Sequence, residues 1–206
     1  MHRSFLVFAV AFLALMAGAL FYAARLPVRE AAAPPTAPAA PAPAPAPVEY
    51  PDFTLAGLDG EPVAFKSFAG RPRLLNFWAT WCAPCRREIP LLKEFQARQD
   101  EDGILVIGIA VDDMAEVRRY AEAAAFNYPV LVGQEDAMAV ADTSGIPFNA
   151  MPFTMIVSRE GRLLGAYLGE LHANHLEDIE NILARLDAGE ISADNAKGAL
   201  ALLARR

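Results

Sequence analysis

The chain has 206 residues and a formal net charge of −7 at pH 7, with 18 Lys and Arg against 25 Asp and Glu. The basic residues are scattered rather than striped, which argues against nucleic acid as a partner. Two cysteines, Cys82 and Cys85, are too few for a disulfide scaffold, so this pair is the whole thiol inventory.

The N-terminus reads as an export signal. Phe5 to Ala24 run apolar without a charge, between Arg3 and Arg25. At about 1.5 Å per residue such a helix spans ~30 Å, the thickness of a hydrocarbon core. Residues 1–25 are therefore expected to be a membrane anchor, inserted through residues 4–24, or a signal segment cleaved near Ala19 or Ala24. The length of the run favours the anchor, and Arg3 orients its start towards the cytoplasm. Either way the rest of the chain faces the periplasm. Residues 26–48 are almost entirely Pro and Ala from Ala31 onward, with too little to bury and too many missing N–H groups for a core or helix. Extended polyproline geometry would make them a stiff spacer.

The remaining chain is long enough for one core, expected over residues 49–190 with a helical tail at 191–206. Pro51 to Leu55 and Pro62 to Phe65 read as short strands around the turn at Asp59-Gly60. Arg73 to Trp78 is a continuous apolar run, the mark of a buried central strand. A helix follows from near Cys82 to about Gln99, with Ile89, Leu92 and Phe95 on its apolar side and Pro90 removing one internal bond. Ile104 to Val111 is a second buried strand, and Asp112 or Asp113 can cap a helix ending near Phe126. Tyr128 to Val132 reads as a strand and Glu135 to Asp142 as a short helix. Phe153 to Ser158 and Leu163 to Leu168 form a hairpin, followed by a helix from about Ala173 to Leu186. Strands alternating with helices imply an α/β fold, a mixed sheet covered on both faces.

Cys82-Ala83-Pro84-Cys85 lies between a buried strand and a helix start, where dithiol exchange is favoured. The unpaired N–H groups of the helix end stabilise a thiolate on the first sulfur, and Arg86 and Arg87 add positive charge. Cys82 is the better nucleophile, and Cys85, one turn further in, would resolve a mixed disulfide. Zinc would need two further ligands, and the histidines are His2, His172 and His175. A purely structural disulfide would close too short a loop to constrain the unfolded chain much. A thiol peroxidase also suits the Pro51-Asp52-Phe53-Thr54-Leu55 opening. Peroxidases place Thr or Ser three residues before the reactive Cys and Pro seven before, where this chain has Ala79 and Leu75. His172 and His175 could bind metal, but a solvated helix start is the simpler expectation. No metal or other cofactor is expected.

Phe77-Trp78-Ala79-Thr80-Trp81-Cys82-Ala83-Pro84-Cys85-Arg86-Arg87-Glu88 resembles the active-site stretch of the TlpA/ResA branch of the thioredoxin superfamily. The resemblance covers Pro51 to about Leu186. It implies a thioredoxin fold with an N-terminal β-hairpin addition and a β–α insertion after the active-site helix, at Gly103 to Phe126. It also implies a cis-proline beside the disulfide, for which Pro147 and Pro152 are the candidates. Met151-Pro152 directly precedes a strand and is preferred, with the Met151 backbone pairing with substrate. Glu88 would be the acid that shapes the thiol pKa values and takes a proton from Cys85, the alternative being a solvated first-turn Glu facing the helix dipole. Trp81 and Pro84 would contact substrate, while Trp78 packs.

The implied activity is thiol–disulfide exchange on exported proteins, acting as a dithiol reductant. Reducing equivalents would come from a membrane electron shuttle, and cytochrome c maturation is the branch's best-known job, with apocytochrome c as substrate. The alternatives are a disulfide-forming oxidant, a thiol peroxidase and a copper-delivery module. Copper delivery uses a three-residue Cys spacing and a placed His, which this chain lacks.

Overall fold

The computed structural model describes residues 52–203. The expected anchor at residues 4–24 and linker at 26–48 lie outside them. Among the described residues no helix is long and apolar enough to cross a membrane.

Seven strands form one mixed sheet in the order β2-β1-β5-β4-β3-β6-β7. The antiparallel hairpin β1 (Thr54–Gly57) and β2 (Pro62–Ala64) sits at one edge, joined through β1 to β5. At the centre β3 (Arg73–Trp78) pairs parallel with β4 (Leu105–Val111) and antiparallel with β6 (Phe153–Val157). β5 (Val130–Gly133) lies parallel beyond β4, and β7 (Leu163–Leu168) forms the other edge. The helices are α1 (Ala83–Arg98), α2 (Met114–Ala124), α3 (Glu135–Asp142), α4 (Ala173–Asp187) and α5 (Ala193–Leu203). The hairpin addition and the β–α unit expected at 103–126 are both present, the latter as β4 and α2.

Every residue of β3 is buried, the polar Arg73 and Asn76 included, and the strand still sorts its side chains by alternation. Leu74 and Trp78 join one core with Val106, Val130 and Ile156, under α1, α2, α4 and α5. Leu75 and Phe77 join the other with Ile107, Ile109, Phe153 and Met155, under α3. Asn76 shares the parity of Leu74 and Trp78 and therefore faces the α1 side. The register puts Val130, Gly108, Asn76, Thr154 and Tyr167 in one row across five strands. Gly108 leaves that row open: a Cβ there would stand 3.2 Å from Trp78 Nε1. Trp78 fills the space, with its ring 5.3 Å from Tyr120 and 5.4 Å from Phe126.

One local alternative is resolved and one expectation is corrected. α2 is capped by Asp113, whose Oδ1 accepts from Ala115 N–H at 2.8 Å, whereas Asp112 is committed elsewhere. The strand expected from Tyr128 begins at Val130, because Pro129 has no N–H to enter a ladder. The tail helix α5 joins the core, with its Ala196, Leu200 and Leu203 buried on the α1 side against β7 and α4.

Candidate active site

Cys82 and Cys85 form a disulfide at the head of α1, with Cα atoms 5.3 Å apart. Cys82 is the N-cap residue and its Sγ accepts from Cys85 N–H at 3.3 Å. Ala83 and Pro84 supply the first helical positions, where proline's missing N–H costs nothing. The sulfur of Cys82 thus lies against the positive end of the helix, which favours its thiolate when the bond is reduced. Cys82 is 5% exposed and Cys85 fully buried, so the first sulfur is the one that a substrate can reach.

Trp81 stands out from the surface at 69% exposure beside Cys82, while Trp78 is buried. The Met151–Pro152 peptide bond is cis, which makes Pro152 the cis-proline in preference to Pro147. Pro152 O accepts from Gly169 N–H at 2.9 Å.

Glu88 is not the surface residue that its place in the first turns of a helix allows. It is 2% exposed, on the same stripe of α1 as Cys85, Ile89, Leu92 and Phe95. Its Oε1 accepts from Asn76 Nδ2 at 2.8 Å and its Oε2 from Leu171 N–H at 2.7 Å. Burial pushes its carboxyl up to about 7, against these two hydrogen bonds, which pull it down; the nearby Glu170 adds a smaller upward push. Asn76 Nδ2 also donates to Thr154 Oγ1 at 3.1 Å, which links the acid to the strand behind Pro152.

Thr80 and Asp112 form a pair that the sequence pattern does not show. Thr80 N–H and Thr80 Oγ1 both donate to Asp112 Oδ2, at 2.8 and 2.6 Å, tying the loop before Trp81 to the end of β4. Nothing local signals this contact, because the two residues meet only when β3 and β4 pair. Arg87 is engaged by Glu170, with Nε 3.1 Å from Oε2, so its charge is shared. The expectation of a solvated start to α4 fails for His175. It is 7% exposed, its Nδ1 accepts from His172 N–H at 3.1 Å, and its ring lies 4.9 Å from that of Tyr167. Burial lowers its pKa. Among the described residues no group of His, Cys, Asp and Glu is arranged to hold a metal ion.

A helix-capping disulfide above a buried carboxyl can exchange electrons with other disulfides and move the associated proton. The AhpC/TSA family profile matches residues 48–165. The thiol-disulfide oxidoreductase ResA of Bacillus thuringiensis is 26% identical over 130 residues, 63% of this chain and 73% of its own. The thioredoxin-like protein YneN of Bacillus subtilis is 30% identical over 135 residues, 63% of this chain and 75% of its own. Among solved structures, a thiol:disulfide interchange protein of the thioredoxin family from Chlorobium tepidum superposes with a TM-score of 0.58 at 26% identity, covering 67% of this chain and 94% of its own. A thioredoxin-related protein from Neisseria meningitidis gives 0.57 at 26%, covering 63% and 98%. The peroxidase positions carry fully buried Leu75 and Ala79, which have no polar group to offer a peroxide. The chain belongs to the AhpC/TSA family, and within it is a TlpA/ResA-like thiol–disulfide oxidoreductase with a thioredoxin fold.

Proposed function

We propose that the protein is an exported, membrane-tethered dithiol reductant of protein disulfides, with oxidised apocytochrome c among its targets. The observation that carries this reading is the buried Glu88 carboxyl one turn below Cys85, with a proton affinity near neutrality. The Cys82 thiolate attacks a substrate disulfide, forming a mixed disulfide and releasing the first substrate thiolate. Cys85 then gives its proton to the Glu88 carboxylate and attacks Cys82 Sγ, releasing the second substrate thiolate. Two electrons have passed to the substrate and Cys82–Cys85 is oxidised. A general base is most effective when its pKa lies near the working pH, and Glu88 meets that condition.

In this reading Trp81, Pro84, Met151 and Pro152 form the substrate surface, with the Met151 backbone pairing with the bound chain. A membrane electron shuttle returns the pair to the dithiol. Residues 4–24 and the Pro/Ala-rich stretch that follows support export and tethering. The test is a trapping experiment on cysteine variants. Cys85→Ser should accumulate a mixed disulfide with substrate through Cys82, and Cys82→Ser should form none and have no turnover. Trapping through Cys85 in the Cys82→Ser chain would overturn the assignment of roles.

A further inference from the structure

Three consecutive residues after β7 each bind a different part of the site. Gly169 N–H donates to Pro152 O at 2.9 Å. The Glu170 carboxylate takes Arg87 Nε at 3.2 and 3.1 Å on its two oxygens. Leu171 N–H donates to Glu88 Oε2 at 2.7 Å. Arg87 and Glu88 are neighbours on α1, as Glu170 and Leu171 are on this strap, so the two segments meet in matching order.

The N–H that reaches Glu88 belongs to the peptide unit between Glu170 and Leu171. Upstream, Gly169 turns the chain with a φ of +118°, a region that only glycine enters freely, and its N–H is held by Pro152 O. Downstream, the Leu171 side chain is 1% exposed and anchored in the core. Between them, the Glu170 side chain supplies a third anchor through the guanidinium fork, whose planar geometry fixes orientation better than a point charge does.

We propose that Arg87 and Glu170 are positioning residues: their ion pair holds the Leu171 peptide on the Glu88 carboxylate and so sets the proton affinity of the acid. The inference rests on Glu88 being the proton acceptor for Cys85, and extends it to the residues that tune it. Removing Arg87 acts in one direction. It frees the peptide that stabilises the carboxylate, and it leaves the Glu170 charge unpaired beside Glu88, where it already pushes the acid upward. Arg87 holds Glu170 low in the wild type, and a surface carboxyl without such a partner is still charged at neutral pH.

The experiment compares the full-length oxidised chain with its Arg87→Ala variant by NMR. In the oxidised protein neither cysteine titrates, so the Glu88 carboxyl resonance reports its own midpoint. The side chain of Arg87 is 61% exposed, and its loss leaves the core intact. The expected result is a Glu88 midpoint higher by roughly one pH unit, the size of one charge-assisted hydrogen bond. The Leu171 amide should also exchange about tenfold faster, with the Leu75 and Ile107 amides of the central strands unchanged. A wild-type value for either the midpoint or the Leu171 exchange rate overturns the proposal. The underlying role of Glu88 is read separately, from the pH profile of turnover in Glu88→Gln: a profile like wild type removes that role whatever the strap does.

Discussion

A carboxyl group that is 2% exposed must give up its charge or find donors, and Glu88 has donors on both oxygens while still being pushed upward by burial. The native protein holds this proton up to about 7, whereas an ordinary carboxyl releases it near 4.5. The native state therefore binds more protons than the unfolded state across that interval, and stability falls as pH rises through it. The contribution is complete below the lower value and gone above the upper one, on the order of 3 kcal/mol for this one group. Denaturant unfolding of the oxidised wild type and Glu88→Gln between pH 4 and 8 should show the difference drifting against the wild type as pH rises. A pH-independent difference would mean that burial does not raise this acid. Part of this was legible: Glu88 falls at i+3 from Cys85 and i−4 from Leu92, so a charge on the apolar stripe of a helix was visible. Its donors were not, because Leu171 is 83 positions away and local pattern carries no such information. Asn76 in an apolar strand was a similar signal, and His175 on the stripe of Leu176, Ile179 and Ile182 another, both explained only by their partners.

Elements were easier than their ends. β3 and α3 lie where periodicity and composition put them, since burial on both faces and a short amphipathic run are properties of the segment itself. α2 ends at Ala124, two residues before the expected Phe126, because Ala125 leaves the helix with φ of +47°, which nothing in an alanine announces. The helical tail at 191–206 is legible as a helix, but its place, as α5, is not. It lies across β7, where a Cβ on Gly165 would stand 3.5 Å from Leu200 Cβ. Leu200 is 4% exposed, so Leu200→Ala should cost about 2–5 kcal/mol in chemical denaturation. A loss below about 0.5 kcal/mol, the size of a surface substitution, would show that α5 is not part of the core.

At the scale of the whole molecule, the site lies at one end of the central strands, where β3 runs into α1 and the Met151–Pro152 turn runs into β6. Both flanks are therefore positioned by the most deeply buried part of the sheet, and β3 joins them through its pairing with β6. The fold class followed from the order of elements, and the redox pair from its place at a helix start. The direction of electron flow did not, because it depends on how far the Cys82 thiolate is stabilised relative to the disulfide. That balance is the central claim and is measured most directly as the reduction potential of the Cys82–Cys85 couple. The full-length chain would be equilibrated against defined thiol buffers and followed through tryptophan fluorescence, since Trp81 adjoins Cys82. The account predicts a single two-electron transition near that of thioredoxin, about −270 mV, or not far above it. A transition near −120 mV, where the reduced form is strongly stabilised, would contradict it and make the protein an oxidant.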